Sequence, residues 1–109
     1  MNKIIIIEDD IAICNMIKKF LENNKYSVQY ALNGIEGIHL CKSFVPDLII
    51  LDIMLPGLNG DDVLQKLRKF TNAPVIVVSA KTMVQTKIEL LKMGADDYMT
   101  KPFDLYELL

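Results

Sequence analysis

The sequence lacks the residues and runs that mark several specialised classes of protein. It contains no tryptophan and two cysteines, and neither Cys14 nor Cys41 has a second cysteine or a histidine at zinc-site spacing. A disulfide framework and a structural zinc site are therefore not indicated, and the cysteine usage favours a reducing compartment. The longest apolar runs are far shorter than a membrane-spanning helix requires. No signal peptide is recognisable, so we expect a cytoplasmic protein.

The charge balance also narrows the range of partners. Lysine and arginine number 12 against 14 aspartates and glutamates, which gives a formal net charge of −2 at pH 7. A domain that binds nucleic acid directly usually carries a basic excess, so this balance argues against direct nucleic-acid binding. Hydrophobic residues make up 51% of the 109 residues and charged residues 24%, which excludes intrinsic disorder and predicts one domain.

Short apolar runs predict the strands of an α/β fold. The strongest runs are continuous rather than alternating, as expected for a parallel sheet that is covered on both faces. They are Ile4–Ile7, Leu48–Leu51 and Val75–Val78, with weaker strands at Ser27–Tyr30 and Tyr98–Met99. Helical spacing links four apolar sets between them: Ile13, Met16, Ile17, Phe20 and Leu21; Ile35, Ile38, Cys41 and Val45; Val63, Leu64 and Leu67; Val84, Ile88 and Leu91. A strand–helix unit thus repeats along the chain, with helices on both faces of the sheet.

Polar residues follow the predicted strands at the points where the strands end. These residues are Glu8, Asp9 and Asp10 after the first strand, Asp52 after the third, Ser79 after the fourth and Lys101 after the fifth. Sites in open α/β sheets lie beyond the carboxyl ends of the strands, and clustered carboxylates repel unless a cation joins them. Oxygen ligands of this kind suit Mg²⁺. Asp9 or Asp10 could instead only cap the next helix, whereas Asp52 interrupts an apolar run and is harder to explain by packing.

Four segments together resemble the receiver domain of two-component response regulators. They are Ile6–Asp10, Asp47–Gly60, Val77–Ala80 and Gly94–Phe103. The resemblance covers residues 1–109 and is strongest to the OmpR/PhoB subfamily, in which a winged-helix DNA-binding domain follows the receiver. It implies a flavodoxin-like, CheY-like (βα)5 fold, an α/β architecture with a doubly wound, five-stranded parallel sheet of order 2-1-3-4-5.

The resemblance also implies a role for each matching residue. Three residues would act on the phosphoryl group: the acceptor Asp52, and Ser79 and Lys101, which would bind its oxygens. Four would hold Mg²⁺: Glu8, Asp9, Asp52 and, through its backbone carbonyl, Met54. Tyr98 would be the switch aromatic, which changes its rotamer as Ser79 moves.

The partners implied by the resemblance follow from this switch. A sensor histidine kinase would donate the phosphoryl group to Asp52. Phosphorylation would change the surface formed by the fourth helix, the fifth strand and the last helix, through which the receiver would form a homodimer. Residues expected on that surface are Lys87, Asp97 and Glu107. Because the chain ends about one turn into the last helix, we expect a truncated helix and a DNA-binding domain beyond Leu109, which alone would touch DNA. We expect a signalling switch rather than an enzyme, with no membrane contact.

Two other classes of function compete with a switch. An interaction module that never takes phosphate would usually lack the acceptor, a member of the acidic pair or the lysine, all of which are present. A flavin carrier or a small-molecule α/β enzyme would need a phosphate-binding loop after the first strand. Neither a G-x-G-x-x-G nor a Walker motif occurs, and Glu8, Asp9 and Asp10 would repel phosphate without a metal.

Overall fold

The chain folds as a sheet of parallel strands with helices packed on both faces. The computed structural model describes residues 2–53, 55, 60–79, 95 and 97–100. Its elements are β1 (Lys3–Ile7), α1 (Ile11–Asn23), β2 (Ser27–Ala31), α2 (Gly34–Phe44), β3 (Leu48–Asp52), α3 (Gly60–Leu67), β4 (Val75–Ser79) and β5 (Asp97–Thr100). All strand pairs are parallel and the sheet has the order β2-β1-β3-β4-β5, which confirms the predicted fold class and strand order.

The continuous apolar runs are explained by burial on both faces of the sheet. Successive side chains of a strand point to opposite faces. In β1, Ile5 and Ile7 pack into the core beneath α2 and α3, whereas Ile4 and Ile6 pack into the core beneath α1. All four are fully buried. Each such side chain stabilises the fold by roughly 1.5–3 kcal/mol relative to an exposed one.

Most of the apolar stripe predicted for helix α1 is confirmed, and one of its residues was predicted wrongly. Its buried side chains are Cys14, Ile17 and Leu21. Met16 was predicted to belong to the stripe, but 52% of its surface is exposed. The buried residues are separated by three and four positions, so they occupy one narrow face of the helix. Met16 precedes Ile17 in the sequence and therefore points about 100° away from it around the helix axis, outside that face.

Helix α2 departs further from its predicted stripe. Ile35 is 61% exposed and Val45 is 67% exposed, so neither belongs to the core. Cys41 is buried as predicted and Ile38 packs against the core, while the other buried residues of the helix are Gly34 and Gly37. A Cβ atom on Gly37 would lie 2.6 Å from Cδ1 of Ile7, so the missing side chain lets the helix approach β1 closely. A stripe that uses glycine cannot be found by searching for large apolar residues.

The predicted apolar set of α3 is confirmed. Val63, Leu64 and Leu67 of α3 are all fully buried, and both cysteines lie in the core. Burial raises the pKa of the Cys41 thiol from 9.0 to about 12, because the thiolate would lose its hydration.

None of the helices in the described part of the chain combines the length and the apolar character that crossing a membrane would demand.

Candidate functional site at the carboxyl edge of the sheet

The register of the three central strands places charged residues side by side. Ile7 of β1 pairs with Leu51 of β3, so Glu8 follows β1 next to the end of β3. Asp52 is the last residue of β3 and pairs with Val78 of β4. Because parallel strands end at the same edge of a sheet, the residues that follow them converge there.

Three carboxylates meet at this edge. One oxygen from each of Glu8, Asp9 and Asp52 can be chosen so that all lie within 4.8 Å of one another. Glu8 is 1% exposed and Asp52 is 3% exposed, whereas Asp9 is exposed to solvent. We call these three residues the acidic triad. Glu8 and Asp52 are thus buried next to the apolar core, whereas the carboxylate of Asp9 is in contact with water.

The backbone of Glu8 is held from two neighbouring elements. Its N–H group donates a hydrogen bond to the carbonyl oxygen of Ala31 in β2, with an N to O distance of 3.1 Å. Its carbonyl oxygen accepts a hydrogen bond from the thiol of Cys14 in α1, at 3.3 Å from Sγ. The first acidic residue is therefore fixed to both the sheet and a helix.

Asp10 has a different task from its two acidic neighbours. Its Oδ1 atom accepts hydrogen bonds from the N–H groups of Ala12 at 2.9 Å and Ile13 at 3.3 Å. Asp10 is thus the N-cap of α1, which satisfies two of the N–H groups that the first turn of a helix leaves unpaired. The capping role that was open for Asp9 or Asp10 belongs to Asp10.

Helix α3 approaches the end of β3 through a glycine. The N–H group of Gly60 donates a hydrogen bond to the carbonyl oxygen of Ile53 at 3.1 Å. A Cβ atom at position 60 would lie 2.3 Å from Cα of Ile53 and 2.8 Å from the carbonyl oxygen of Asp52. The absence of a side chain at Gly60 therefore lets the helix begin directly against the backbone of Asp52 and Ile53.

The donor set of the acidic triad fits a hard divalent cation. Three like charges this close repel one another, and burial removes much of the water that would screen them. A divalent cation would offset both costs. Carboxylate oxygens suit Mg²⁺ rather than zinc or copper, and the exposure of Asp9 leaves a side of the triad open to water or substrate.

Other residues predicted for the site fall on described strands or outside the described residues. Ser79 ends β4 and its Cα pairs with that of Thr100, the last residue of β5. Asp97 and Tyr98 lie in β5, opposite Ile76 and Val77. For Ser79, Asp97 and Tyr98 the backbone alone is described. Four predicted residues lie outside the described residues: Met54, Lys87, Lys101 and Glu107.

Sequence reasoning missed two contributors to this edge. The sequence assigns Cys14 no part in the site, yet its thiol donates a hydrogen bond to the backbone carbonyl of Glu8. Gly60 was noted as the end of a motif, without the close approach that it permits. Periodicity carries no signal for the first contact. For the second, a glycine shortly before the apolar set at Val63, Leu64 and Leu67 was the available clue.

The fold and its acidic edge define a receiver domain. The family model for the response regulator receiver domain matches residues 4–109, and the chain belongs to this family. The resemblance inferred from the four sequence segments is thereby confirmed.

Individual relatives agree with the family. The chain is 45% identical over 112 residues to the DNA-binding dual master transcriptional regulator RpaA of Synechocystis sp., covering 100% of this chain and 46% of that protein. It is 39% identical over 109 residues to the response regulator ArlR of Staphylococcus saprophyticus, covering 100% of this chain and 50% of ArlR. The chain thus spans about half the length of these curated relatives.

A solved structure shows the same fold at comparable sequence identity. The receiver domain of the Francisella response regulator 1452 superimposes with a TM-score of 0.94 and is 40% identical, covering 99% of this chain and 90% of that one. The chain is therefore a receiver domain of the two-component response regulators, in both sequence and fold.

Proposed function

We propose that this receiver domain is a phosphorylation-dependent switch in which Asp52 accepts a phosphoryl group from a sensor histidine kinase. The observation that carries the proposal is the acidic triad, in which buried Asp52 has carboxylate oxygens of Glu8 and Asp9 within 4.8 Å. A buried acid at the end of a central strand lowers the stability of the fold, so a contribution to stability does not explain its presence. Its position at the carboxyl edge of a parallel sheet is where ligands of such folds bind.

The chemistry required of Asp52 is nucleophilic attack on phosphorus. A carboxylate oxygen forms a bond to phosphorus as the bond from phosphorus to the histidine nitrogen breaks, and the imidazole, which already carries a proton on its other ring nitrogen, leaves as the neutral ring. No general base is needed, because a carboxylate is ionised at neutral pH without help. The phosphoryl group ends on the protein itself, so the domain assists a transfer but is a switch rather than an enzyme with a separate product.

Mg²⁺ would be held by the acidic triad and by the backbone carbonyl of Met54. When bound, it supplies positive charge against the negative oxygens of the phosphoryl group. Glu8 and Asp52 offer buried oxygens, and Asp9 offers one at the exposed side. The triad also keeps the acceptor oxygen close to the cation, which favours transfer by positioning.

Two further residues would stabilise the transferred group. We assign Ser79 as a hydrogen-bond donor to a phosphoryl oxygen and Lys101 as its ionic partner. The strand register supports both assignments, because Ser79 follows Val78, which pairs with Asp52, and Thr100, the residue before Lys101 in the sequence, pairs with Ser79.

The output of the switch would lie on the side of the sheet that ends with β5. Movement of Ser79 toward the phosphoryl group would let Tyr98 change its rotamer and would alter the surface that carries Lys87, Asp97 and Glu107. Through this surface the receiver would form a homodimer.

A DNA-binding domain beyond Leu109 would read out the dimer. The support is that the relatives are about twice as long as this chain and that RpaA is a DNA-binding transcriptional regulator. The location of such a switch would be the cytoplasm, where the kinase presents its phosphohistidine.

The phosphoacceptor is tested by mass spectrometry after incubation with acetyl phosphate and Mg²⁺. We expect the wild-type chain to gain the mass of one phosphoryl group, Asp52→Asn to gain none, and Asp10→Asn to behave like the wild type. Asp10→Asn is a matched control because asparagine caps helices as well as aspartate does. Full phosphorylation of Asp52→Asn would contradict the assignment.

A further inference from the structure

We propose that Cys14 is a positioning residue for the acidic triad, and that its thiol sets the Mg²⁺ affinity by holding the backbone of Glu8. Cys14 is fully buried in α1, and its Sγ atom lies 3.3 Å from the carbonyl oxygen of Glu8. The thiol is a donor to the main chain and contributes no ligand atom. The inference rests on the proposed metal site and adds a residue that acts on it from the helix.

The contact closes a small ring of hydrogen bonds around the acidic segment. The chain runs from Glu8 through Asp9 to Asp10, whose carbonyl oxygen accepts the N–H group of Cys14 at 3.0 Å. The Cys14 side chain then returns to the carbonyl oxygen of Glu8. Asp9 therefore lies on a segment that is tied to the same helical residue before and after it.

The opposite side of Glu8 is tied to the sheet. Its N–H group donates to the carbonyl oxygen of Ala31, so the Glu8 residue is held between β2 and α1. If the thiol is removed, the tie to β2 remains but the carbonyl group of Glu8 loses its donor from α1. A rotation of this carbonyl group would change the direction in which the peptide leads into Asp9.

Such a tie matters because the carboxylates of the triad repel one another. Repulsion favours any backbone movement that separates Glu8 and Asp9 from Asp52, and the exposed Asp9 has room to move outward. A metal then binds more weakly, since part of its binding free energy is spent in drawing the ligands together. The Cys14 thiol limits this movement without altering the set of oxygen donors.

Cys41 provides a matched control on the opposite face of the sheet. It is buried like Cys14, but it packs into the core beneath α2 and α3, whereas Cys14 packs into the core beneath α1. Replacing either cysteine by alanine removes the same sulfur atom from an apolar core. A difference between the two variants in metal binding therefore separates the hydrogen bond from general loosening.

The experiment is a Mg²⁺ titration of the whole chain, followed by the amide NMR shifts of the acidic segment. We expect Cys14→Ala to raise the Mg²⁺ dissociation constant by about three- to tenfold, at or below the lower limit of about tenfold that is typical for partners of metal ligands, because the thiol is a weak donor. Cys14→Ser keeps a donor and should stay within about twofold of the wild type, as should Cys41→Ala. Cys14→Val, which removes the donor without leaving a cavity, should bind as weakly as Cys14→Ala and serves as the test if that variant does not fold.

Several outcomes would overturn the inference. Equal dissociation constants for the wild type and a folded donor-free variant would show that the thiol has no effect on the metal. Equal weakening in Cys14→Ala and Cys41→Ala, or in Cys14→Ser and Cys14→Ala, would show that packing rather than the hydrogen bond is responsible. A wild-type chain that binds no Mg²⁺ would overturn the proposed metal site, and this inference with it, whereas the first outcomes leave that site intact.

Discussion

The interior of the sheet and its carboxyl edge are made by consecutive residues of the same strands, yet they bury opposite kinds of group. Ile4–Ile7 precede Glu8, and Ile49–Leu51 precede Asp52, and every one of these residues is buried. In the interior, burial removes apolar surface from water and stabilises the fold. At the edge, burial removes carboxylates from water and costs free energy. One step along a strand reverses the sign of the contribution.

The comparison teaches that the edge depends on the interior for its stability. Carboxylates that repel each other stay close only where well-packed neighbours fix their backbones. The fixed points here are the hydrogen bonds of Glu8 to β2 and α1 and the close approach of Gly60 to the end of β3. The interior therefore supplies both the stability and the positions on which the acidic triad relies.

The largest expected change in stability comes from a substitution at Gly60, which tests whether the backbone at the carboxyl edge is as closely packed as the core. Gly60→Ala would place a Cβ atom 2.3 Å from Cα of Ile53, which only a shift of the main chain relieves. We expect the free energy of unfolding to fall by about 3 kcal/mol, measured by urea denaturation. Gly37→Ala should cost about 1 kcal/mol, because it meets the Ile7 side chain rather than backbone and gains helix propensity. A similar small cost at both glycines would show that the edge yields easily.

The next effect separates the two regions by their response to Mg²⁺. At a Mg²⁺ concentration one hundred times its dissociation constant, the wild type should gain about 2.7 kcal/mol in free energy of unfolding. Asp9→Asn should lose most of this gain, while its exposed position leaves the metal-free stability nearly unchanged. Asp47→Asn at the opposite edge should keep the gain. Thermal denaturation with and without Mg²⁺ measures all three, and an undiminished gain in Asp9→Asn would count against the triad.

A third effect concerns a neutral group buried in the interior. The pKa of Cys41 is raised to about 12 in the folded protein from 9.0, so its thiol ionises in the unfolded chain first. The contribution of the neutral Cys41 thiol to the free energy of unfolding is complete below pH 9 and is lost as the pH rises toward 12. At about pH 10.5 we expect the wild type to lose about 2 kcal/mol more than Cys41→Ala does. Urea denaturation across this range measures the difference, and parallel curves for the two proteins would refute the expectation.

The smallest effect compares aspartates at the two ends of β3. Asp52→Asn removes one charge from the acidic triad and should raise the metal-free free energy of unfolding by about 1 kcal/mol at low salt. Asp47→Asn removes a charge whose Oδ2 atom accepts the N–H group of Lys3 at 2.7 Å, and should change stability by less than about 0.5 kcal/mol. Destabilisation by Asp52→Asn in the absence of metal would mean that repulsion is not the main cost at this edge.

Much of the fold could be predicted because the sheet is covered on both faces. Continuous runs such as Ile4–Ile7 have one simple explanation, and the helices between them leave a parallel sheet as the compact arrangement. The carboxyl ends of parallel strands then bring Glu8 and Asp52 to one edge whatever the order of the strands. The position of the acidic triad therefore followed from local patterns and one general rule.

The helix faces were harder to predict because packing depends on small residues as well as large ones. Ile35 and Val45 are apolar and correctly spaced, but the close approach at Gly37 turns another face of α2 toward β1. Met16 fails in a similar way, since a flexible apolar side chain is tolerated beside a buried face. Spacing alone cannot rank neighbouring faces of a helix.

The sequence by itself determined the class of fold, the edge that carries the charges and Asp52 as the most conspicuous acid of that edge, because each of these depends on strand runs and the residues next to them. Only the tertiary structure decided how close the three carboxylates lie, how closely Gly60 approaches the end of β3, and that Cys14 reaches the backbone of Glu8. These contacts join residues through the geometry of a turn and a helix face, and distances of a few ångströms between them are set by packing rather than by any pattern along the chain.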